Sequence, residues 1–258
     1  MLDSDKISRI MTHSAEVFVF EEIDSTNSEA KRRAVFAAEN GNFSPILILA
    51  KSQSAGRGRM GRSFLSRADS GIYMSLLYFT DKPLSDAVSV TTAAAAFVAE
   101  EIERVTDSPM KIKWVNDVYS DRGKVAGILV ESVPVSSEIC GVIVGIGINT
   151  GEDDFPEELQ GIAASIGNVC GKEEKMVASI ADRLLAHADA PDNRDYMDAY
   201  RKRFMLSGER VCLIRCGEDV DEGTVIGVDD DGGLLFIPDR GSEAITIRSG
   251  EVSVRKIK

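Results

Sequence analysis

Apolar and polar residues alternate through "EVFVFEEI" (16–23), which predicts a strand, and the spacing turns helical in the following "DSTNSEAKRRAVFAAENG". Thr26 and Glu29 stand at capping-box spacing, and Gly41 supplies a stop. Behind Pro45, "ILILA" reads as a buried strand and "GIYMSLLYF" (71–79) as another, while "RSFLSRADS" between them has no helical period. The Ala-rich run 85–105 predicts a packed helix. "MKIKWVNDVYS" and "KVAGILVES" predict a hairpin over 110–132 about the turn residues "DRG", and "EICGVIVGIGINT" (138–150) extends it to an antiparallel meander. Helical spacing returns at 173–189 and 192–205.

From Gly208 onward, short β-rich runs alternate with Gly, Asp and Pro turns, the pattern of a small barrel. The expected fold class is therefore α+β: a mixed, mostly antiparallel sheet with packed helices over 1–207, then a barrel over 208–258. Asp229–Asp231, beside Gly232 and Gly233, read as a solvated hairpin turn rather than a metal site.

Composition narrows the function. A chain of 258 residues, 43% hydrophobic and 28% charged, has room for one main core and a small second one. Its net charge of -12 argues against a general nucleic-acid or anionic-membrane surface, so any phosphate site must be local. With neither a secretory start nor a membrane-length apolar run, cytoplasmic residence is expected. Cys140, Cys170, Cys212 and Cys216 form no C-x-x-C pair, and His13 and His187 have no ligand-like neighbours; reduced packing or surface cysteines follow, not zinc.

A local phosphate site has a candidate in "QSAGRGRMGR" (53–62). Gly56, Gly58 and Gly61 have the spacing of a dinucleotide-binding turn, and Asp81 lies twenty residues beyond, but the helix that must open after the glycines is missing. Arg57, Arg59 and Arg62 instead concentrate positive charge where glycines let backbone amides approach an anion. In "KWVND", Asn116 and Asp117 break an apolar run, and a three-residue turn at Asp121–Gly123 places Asp117 opposite Gly127, with room for a ligand beside the carboxylate. Taken singly, each motif also has a plain structural role: a solvated loop, a strand end, a helix cap.

Taken in order, "DSTN", "Q-x-x-GRGR-x-GR", "KW-x-ND", "K-x-AGIL-x-E" and "GIGIN" resemble biotin protein ligase over roughly residues 20–150. The resemblance implies a catalytic domain of the biotin/lipoate ligase type, related to class II aminoacyl-tRNA synthetases, and an SH3-like C-terminal barrel. It implies ATP, Mg²⁺ and biotin as reactants, biotinyl-AMP as intermediate, and a biotin carboxyl carrier protein or domain, such as that of acetyl-CoA carboxylase, as acceptor. Ser25, Thr26, Asn27 and Gln53 would hold the ureido head of biotin. Gly56, Arg57, Gly58, Arg59 and Arg62 would close over carboxylate and phosphate. Lys124 would contact the biotinyl carbonyl and phosphate beside Gly127, Asn149 would end the last motif, and Asn116 and Asp117 would lie near Mg²⁺ and the incoming lysine. Arg59, Lys124, Asp117 and Asn116 are thus the catalytic candidates.

Three positions depart from the pattern: Val115 replaces a usual proline, Met60 a common Arg, and Phe64 a frequent Trp. Only about twenty residues precede the first motif, so a monofunctional ligase without the DNA-binding domain of some members is expected. Monomer and homodimer both stay open, since sheet edges in such domains can pair between subunits. The rival readings are a lipoate or octanoate ligase or transferase, a non-catalytic biotin sensor and a Rossmann oxidoreductase.

Overall fold

In a computed structural model, residues 2–81, 87–215, 217–241, 243–248 and 252–257 are described. Seven strands form the main sheet: β1 (Glu16–Ile23), β2 (Ile46–Gln53), β3 (Gly71–Thr80), β4 (Lys111–Lys113), β5 (Asp117–Tyr119), β6 (Lys124–Pro134) and β7 (Cys140–Asn149). Their spatial order is β1-β2-β3-β7-β6-β5-β4. Only β1 and β2 run parallel, because α2 (Thr26–Asn40) crosses between them; the other pairs are antiparallel. The meander and the mixed sheet are as expected.

Alternation along the strands gives this sheet two different faces. One carries Leu47, Leu49, Met74, Leu76, Val144, Ile146, Ala126 and Val118 into the main core. The helices α3 (Ala87–Thr106), α4 (Glu173–Asp189) and α5 (Tyr196–Arg203) belong to that layer. Nearly every side chain of α3 is buried, as its Ala-rich sequence requires of a helix packed on all sides. The opposite face carries a smaller cluster under α2, formed by Ala30, Ala34, Ile46, Ile48, Leu77 and Ile143.

Four local expectations need correction. The capping box at Thr26 and Glu29 does not form: Ser25 is the N-cap, without a side-chain cap bond, and Glu29 is drawn to Arg32 and Arg33. The strand expected through "MKIKWVNDVYS" is two strands, β4 and β5, folded on each other about residues 114–116 with Lys113 opposite Asp117. The helix expected at 192–205 starts late because the Asn193 side chain accepts from the Asp195 amide in a turn that competes with helix. A short helix absent from the sequence reading, α1 (Ser4–Ile10), packs on α4, with Lys6 3.2 Å from Glu174. Positions 85 and 86 of the Ala-rich segment and Cys216 lie outside the described residues.

Strands β8 (Arg210–Arg215), β9 (Glu218–Val228), β10 (Leu234–Pro238), β11 (Ile245–Ile247) and β12 (Val252–Lys256) make a second, wholly antiparallel sheet in the order β11-β10-β9-β8-β12. It is consistent with the small SH3-like domain. The Asp229–Asp231 turn is the β9–β10 hairpin, but it is not merely solvated. Asp231 lies 3.2 Å from Arg194, Asp230 pairs with Arg201 and Asp229 with Arg248. Trp114 Nε1 donates to the Gly232 carbonyl at 2.9 Å, tying this hairpin to the turn between β4 and β5.

Cys140, Cys170 and Cys212 are free thiols. No group of three His, Cys, Asp or Glu side chains that could hold a metal ion occurs among the described residues. No helix among them is long and apolar enough to cross a membrane.

Candidate functional site

On the α2 face, β-sheet register brings the site residues into rows. One row runs Tyr73, Gly147, Gly127, Asp117, Lys113 across β3, β7, β6, β5 and β4; the next runs Ser75, Gly145, Leu129. Residues in a row share a face, so the glycines strip side chains from the middle of the sheet and leave a floor. A Cβ on Gly145 would lie 2.0 Å from Asn27 Oδ1, and one on Gly147 2.4 Å from the Phe64 ring. The expected pairing of Asp117 with Gly127 is present, although Lys124 already reaches over Gly127.

At one end of this floor lies a polar recess. The Ser75 hydroxyl donates to Asn27 Oδ1 at 2.6 Å and lies 2.8 Å from Thr26 Oγ1. Gln53 Oε1 accepts from the Thr26 amide and hydroxyl at 2.8 and 3.1 Å, while its Nε2 donates to Ser66 at 2.7 Å. Asn27 Nδ2 donates to Glu131 Oε2 at 2.9 Å. Burial pushes the Glu131 pKa up, but the Lys31 and Asn27 hydrogen bonds and the charges of Lys31 and Arg57 outweigh it, so the carboxylate is held below its usual range. The buried Ser25 makes no side-chain cap bond and lines the cavity.

At the other end, positive charge gathers. The Arg57–Ser63 segment folds back on itself: Arg57 bridges Ser63, the Gly58 amide donates to the Arg62 carbonyl at 2.7 Å, and Arg59–Gly61 make one 3-10 turn. Met60 takes a left-handed φ of 57°, unusual for a side chain of its size. No α-helix opens after Gly61; the chain runs on to β3, and the dinucleotide-fold reading falls with it. Arg59 Nη1 donates to Asn116 Oδ1 at 2.7 Å, and Asn116 Nδ2 donates to the Ile128 carbonyl at 2.9 Å. Burial pulls the Arg59 pKa down, opposed by the Asp117 charge.

Lys124 Nζ lies 2.7 Å from Asp117 Oδ1. This ion pair accounts for the buried oxygen, which has no further hydrogen-bond partner among the described residues. The cavity between the two ends measures about 50 Å³, and Phe64 stands against its glycine floor.

Comparison with known proteins matches this architecture. The model described as "Biotin/lipoate A/B protein ligase family" matches residues 19–149, half of the chain, and these carry both rows of the floor. The chain belongs to this family. Within the biotin/lipoate A/B protein ligase family it is 34% identical to the bifunctional ligase/repressor BirA of Bacillus spizizenii, over 84% of this chain and 69% of that protein. It is 31% identical to the biotin–[acetyl-CoA-carboxylase] ligase of Paracoccus denitrificans, over 86% of this chain and 94% of the relative. Among solved structures, biotin protein ligase from Aquifex aeolicus in complex with biotin and ATP superposes with a TM-score of 0.74 at 28% identity, covering 94% of this chain and 99% of that one.

Ser25, Asn27, Gln53, Arg57, Gly58, Arg59, Asn116, Lys124 and Gly127 of this family member all line the cavity. Thr26 stands behind them, braced between Gln53 and Ser75. Gly56 is buried where a Cβ would meet the Phe64 carbonyl and Ser66, so it seats the loop rather than lining the cavity. Arg62 is exposed at the loop's far side. Asn149 is turned away: its side chain donates to the Ala164 carbonyl at 3.1 Å and pins the 163–166 segment. Sequence reading missed Ser75, and it gave no separate role to Glu131, which closes "K-x-AGIL-x-E", or to Gly145 and Gly147. Two glycines at i and i+2 of a strand share one face, a signal present in "GIGIN"; Ser75 sits in an apolar run and carries no such signal.

Proposed function

We propose that this chain is a biotin protein ligase, joining biotin to AMP at the expense of ATP and passing the biotinyl group to a lysine of a biotin carboxyl carrier protein or domain. The observation that carries this reading is a single tract on one glycine-floored sheet face. It has a hydrogen-bonding recess at one end, with Arg57 reaching Glu131 at its edge, and Arg59 and Lys124 at the other. That order suits a ligand with an uncharged polar head and a carboxylate tail awaiting phosphate chemistry. The proposed division of labour is a catalytic unit, 1–207, working in the cytoplasm, with 208–258 as the second domain.

Ser25 and Asn27 supply the contacts to the head, and Thr26, Gln53 and Ser75 hold them in place. Hydrogen-bonding a buried amide-like head in this way discriminates strongly against acids lacking it. Arg57 lies 3.3 Å from Glu131 without ligand, within reach of the tract, and Arg59 is oriented by Asn116. Both guanidinium groups suit a carboxylate and an α-phosphate. The Asp117 carboxylate, ion-paired with Lys124, suits Mg²⁺, which keeps few protein ligands and binds largely through phosphate oxygens and water. Asn116, whose Oδ1 accepts from Arg59 and whose Nδ2 donates to the Ile128 carbonyl, would stand near the ion through water or phosphate. Bound there, the ion would offset charge on the triphosphate.

In the first step a biotin carboxylate oxygen attacks the α-phosphorus, and the bond to the bridging oxygen breaks as pyrophosphate leaves. Lys124 holds the resulting anhydride at its carbonyl and phosphate. In the second step the lysine amine attacks the carbonyl carbon and AMP departs, while Asp117 orients the amine and accepts its proton. Biotin-dependent exchange of labelled pyrophosphate into ATP, beside lipoate and octanoate controls, tests the reading. Exchange with biotin alone is expected; exchange only with lipoate or octanoate, or biotin binding without exchange, overturns it.

A further inference from the structure

We infer that Glu131, at the edge of the recess on β6, is the positioning residue that fixes which atom Asn27 offers to the head of the ligand. The inference rests on the ligase reading above and goes beyond it in naming what sets the polarity of the recess. Glu131 follows Gly127 and Leu129 at alternate positions of β6, so its side chain rises from the floor face beneath α2. Asn27 and Lys31 stand one turn apart on that helix and both reach it. Asn27 Nδ2 lies 2.9 Å from Glu131 Oε2, and Lys31 Nζ lies 2.7 Å from Oε1.

An amide side chain can be turned end for end, and its partners decide which end faces a ligand. A carboxylate only accepts, so Glu131 takes one hydrogen of Asn27 Nδ2, and the Leu129 carbonyl, at 3.4 Å, stands beside the second. With both hydrogens turned to β6, Oδ1 is the end left over the bare floor at Gly145, where an added Cβ would lie 2.0 Å from it. The Ser75 hydroxyl occupies one lone pair of this oxygen at 2.6 Å, and the other is open to an N–H. The bonds run in one sense: Ser75 donates to Asn27, and Asn27 and Lys31 both donate to Glu131.

Charge keeps this sense fixed. Burial alone would push the Glu131 carboxyl toward its neutral form, which can donate, but the hydrogen bonds of Lys31 and Asn27 and the charges of Lys31 and Arg57 outweigh it. Of the two cations, Lys31 is the closer and less exposed; Arg57 lies 3.3 Å from Oε1. A cyclic urea carries two N–H donors, and an acceptor held at Oδ1 recognises one of them. A turned Asn27 amide would set N–H against N–H, the mismatch that a site built on hydrogen bonds to a polar head must avoid.

Glu131→Gln, whose amide can face Asn27 with either end, and Lys31→Met, which removes the nearest cation, separate this role from simple packing. In titration calorimetry with biotin alone, each is expected to bind about tenfold more weakly, while the KM for ATP in the exchange assay stays within about twofold. In Lys31→Met the loss should deepen as pH falls from 8 to 5, because burial is then less opposed and the carboxyl takes up its proton at higher pH. The unaltered protein should hold level over that range, and adding Glu131→Gln to Lys31→Met should abolish the extra pH dependence. Unchanged biotin affinity in Glu131→Gln, equal losses for biotin and ATP, or a level pH profile in Lys31→Met overturns the assignment. If Glu131→Gln does not fold, the Lys31→Met profile decides. Absence of biotin binding by the unaltered protein would instead remove the ligase reading itself.

Discussion

The two ends of the tract are built on opposite principles. In the recess, Thr26, Asn27, Gln53, Ser75 and Glu131 spend their hydrogen bonds on one another, so the geometry exists before any ligand arrives. At the charged end, Asp117 Oδ1 is held by the Lys124 ion pair alone among the described residues, Arg59 is held by Asn116, and Met60 sits in a left-handed conformation. A satisfied network is rigid and selective; a half-satisfied one stores cost that ligand binding relieves. The difference suits a head that must be recognised and a phosphate group that must react and leave.

Changes at the charged end should fall on rate, the largest first. Lys124→Ala is expected to lower adenylation by about 10²–10³-fold and to speed loss of preformed adenylate, measured by filter retention of labelled biotinyl-AMP. Unchanged dissociation would dissolve the contrast, since this end would then not hold the intermediate. Asp117→Asn should slow transfer by about 100-fold while adenylation falls less, in single-turnover assays of the two half-reactions. Equal losses would point to a metal or structural role.

A change in the recess should fall on binding instead. Gly145→Ala drives a methyl into the Asn27 amide, so biotin KM should rise about tenfold and stability fall by about 1–3 kcal/mol, with the KM for ATP little altered. Steady-state kinetics and thermal melting check both.

An unpartnered buried atom far from the tract should cost stability alone, the smallest effect. His187 Nε2 has no hydrogen-bond partner among the described residues, and burial, followed by the charge of Arg194, lowers the imidazole pKa below 6.5. The unfolded chain therefore takes up a proton before the folded one does. This contribution is complete above pH 6.5 and is lost as pH falls through that value toward the folded pKa. Melting temperature measured between pH 8 and 5 should drop less steeply in His187→Phe, with biotin-dependent exchange unchanged at pH 8. An equally steep drop would show that another group governs acid sensitivity.

The sequence itself carried much of this. Alternation located most strands, the Ala-rich run marked the buried helix, and turn chemistry at Asp121–Gly123 correctly set Asp117 against Gly127. The ordered motifs named most cavity residues because each is confined to a few positions of one loop or strand. Helix capping was misread because Thr26 can satisfy either a helix end or a neighbouring strand, and local spacing does not register that Gln53 competes for it.

What the sequence determined alone was therefore local: periodicity, turns, and the residue types gathered in each motif. Tertiary structure decided which residues share a face and which polar groups find partners. It turned Asn149 away from the cavity, drew Ser75 into the recess, and put Lys113 at the end of the Asp117 row. The physical reason is that strand register and hydrogen-bond competition join residues distant in the chain, and no single motif contains both partners.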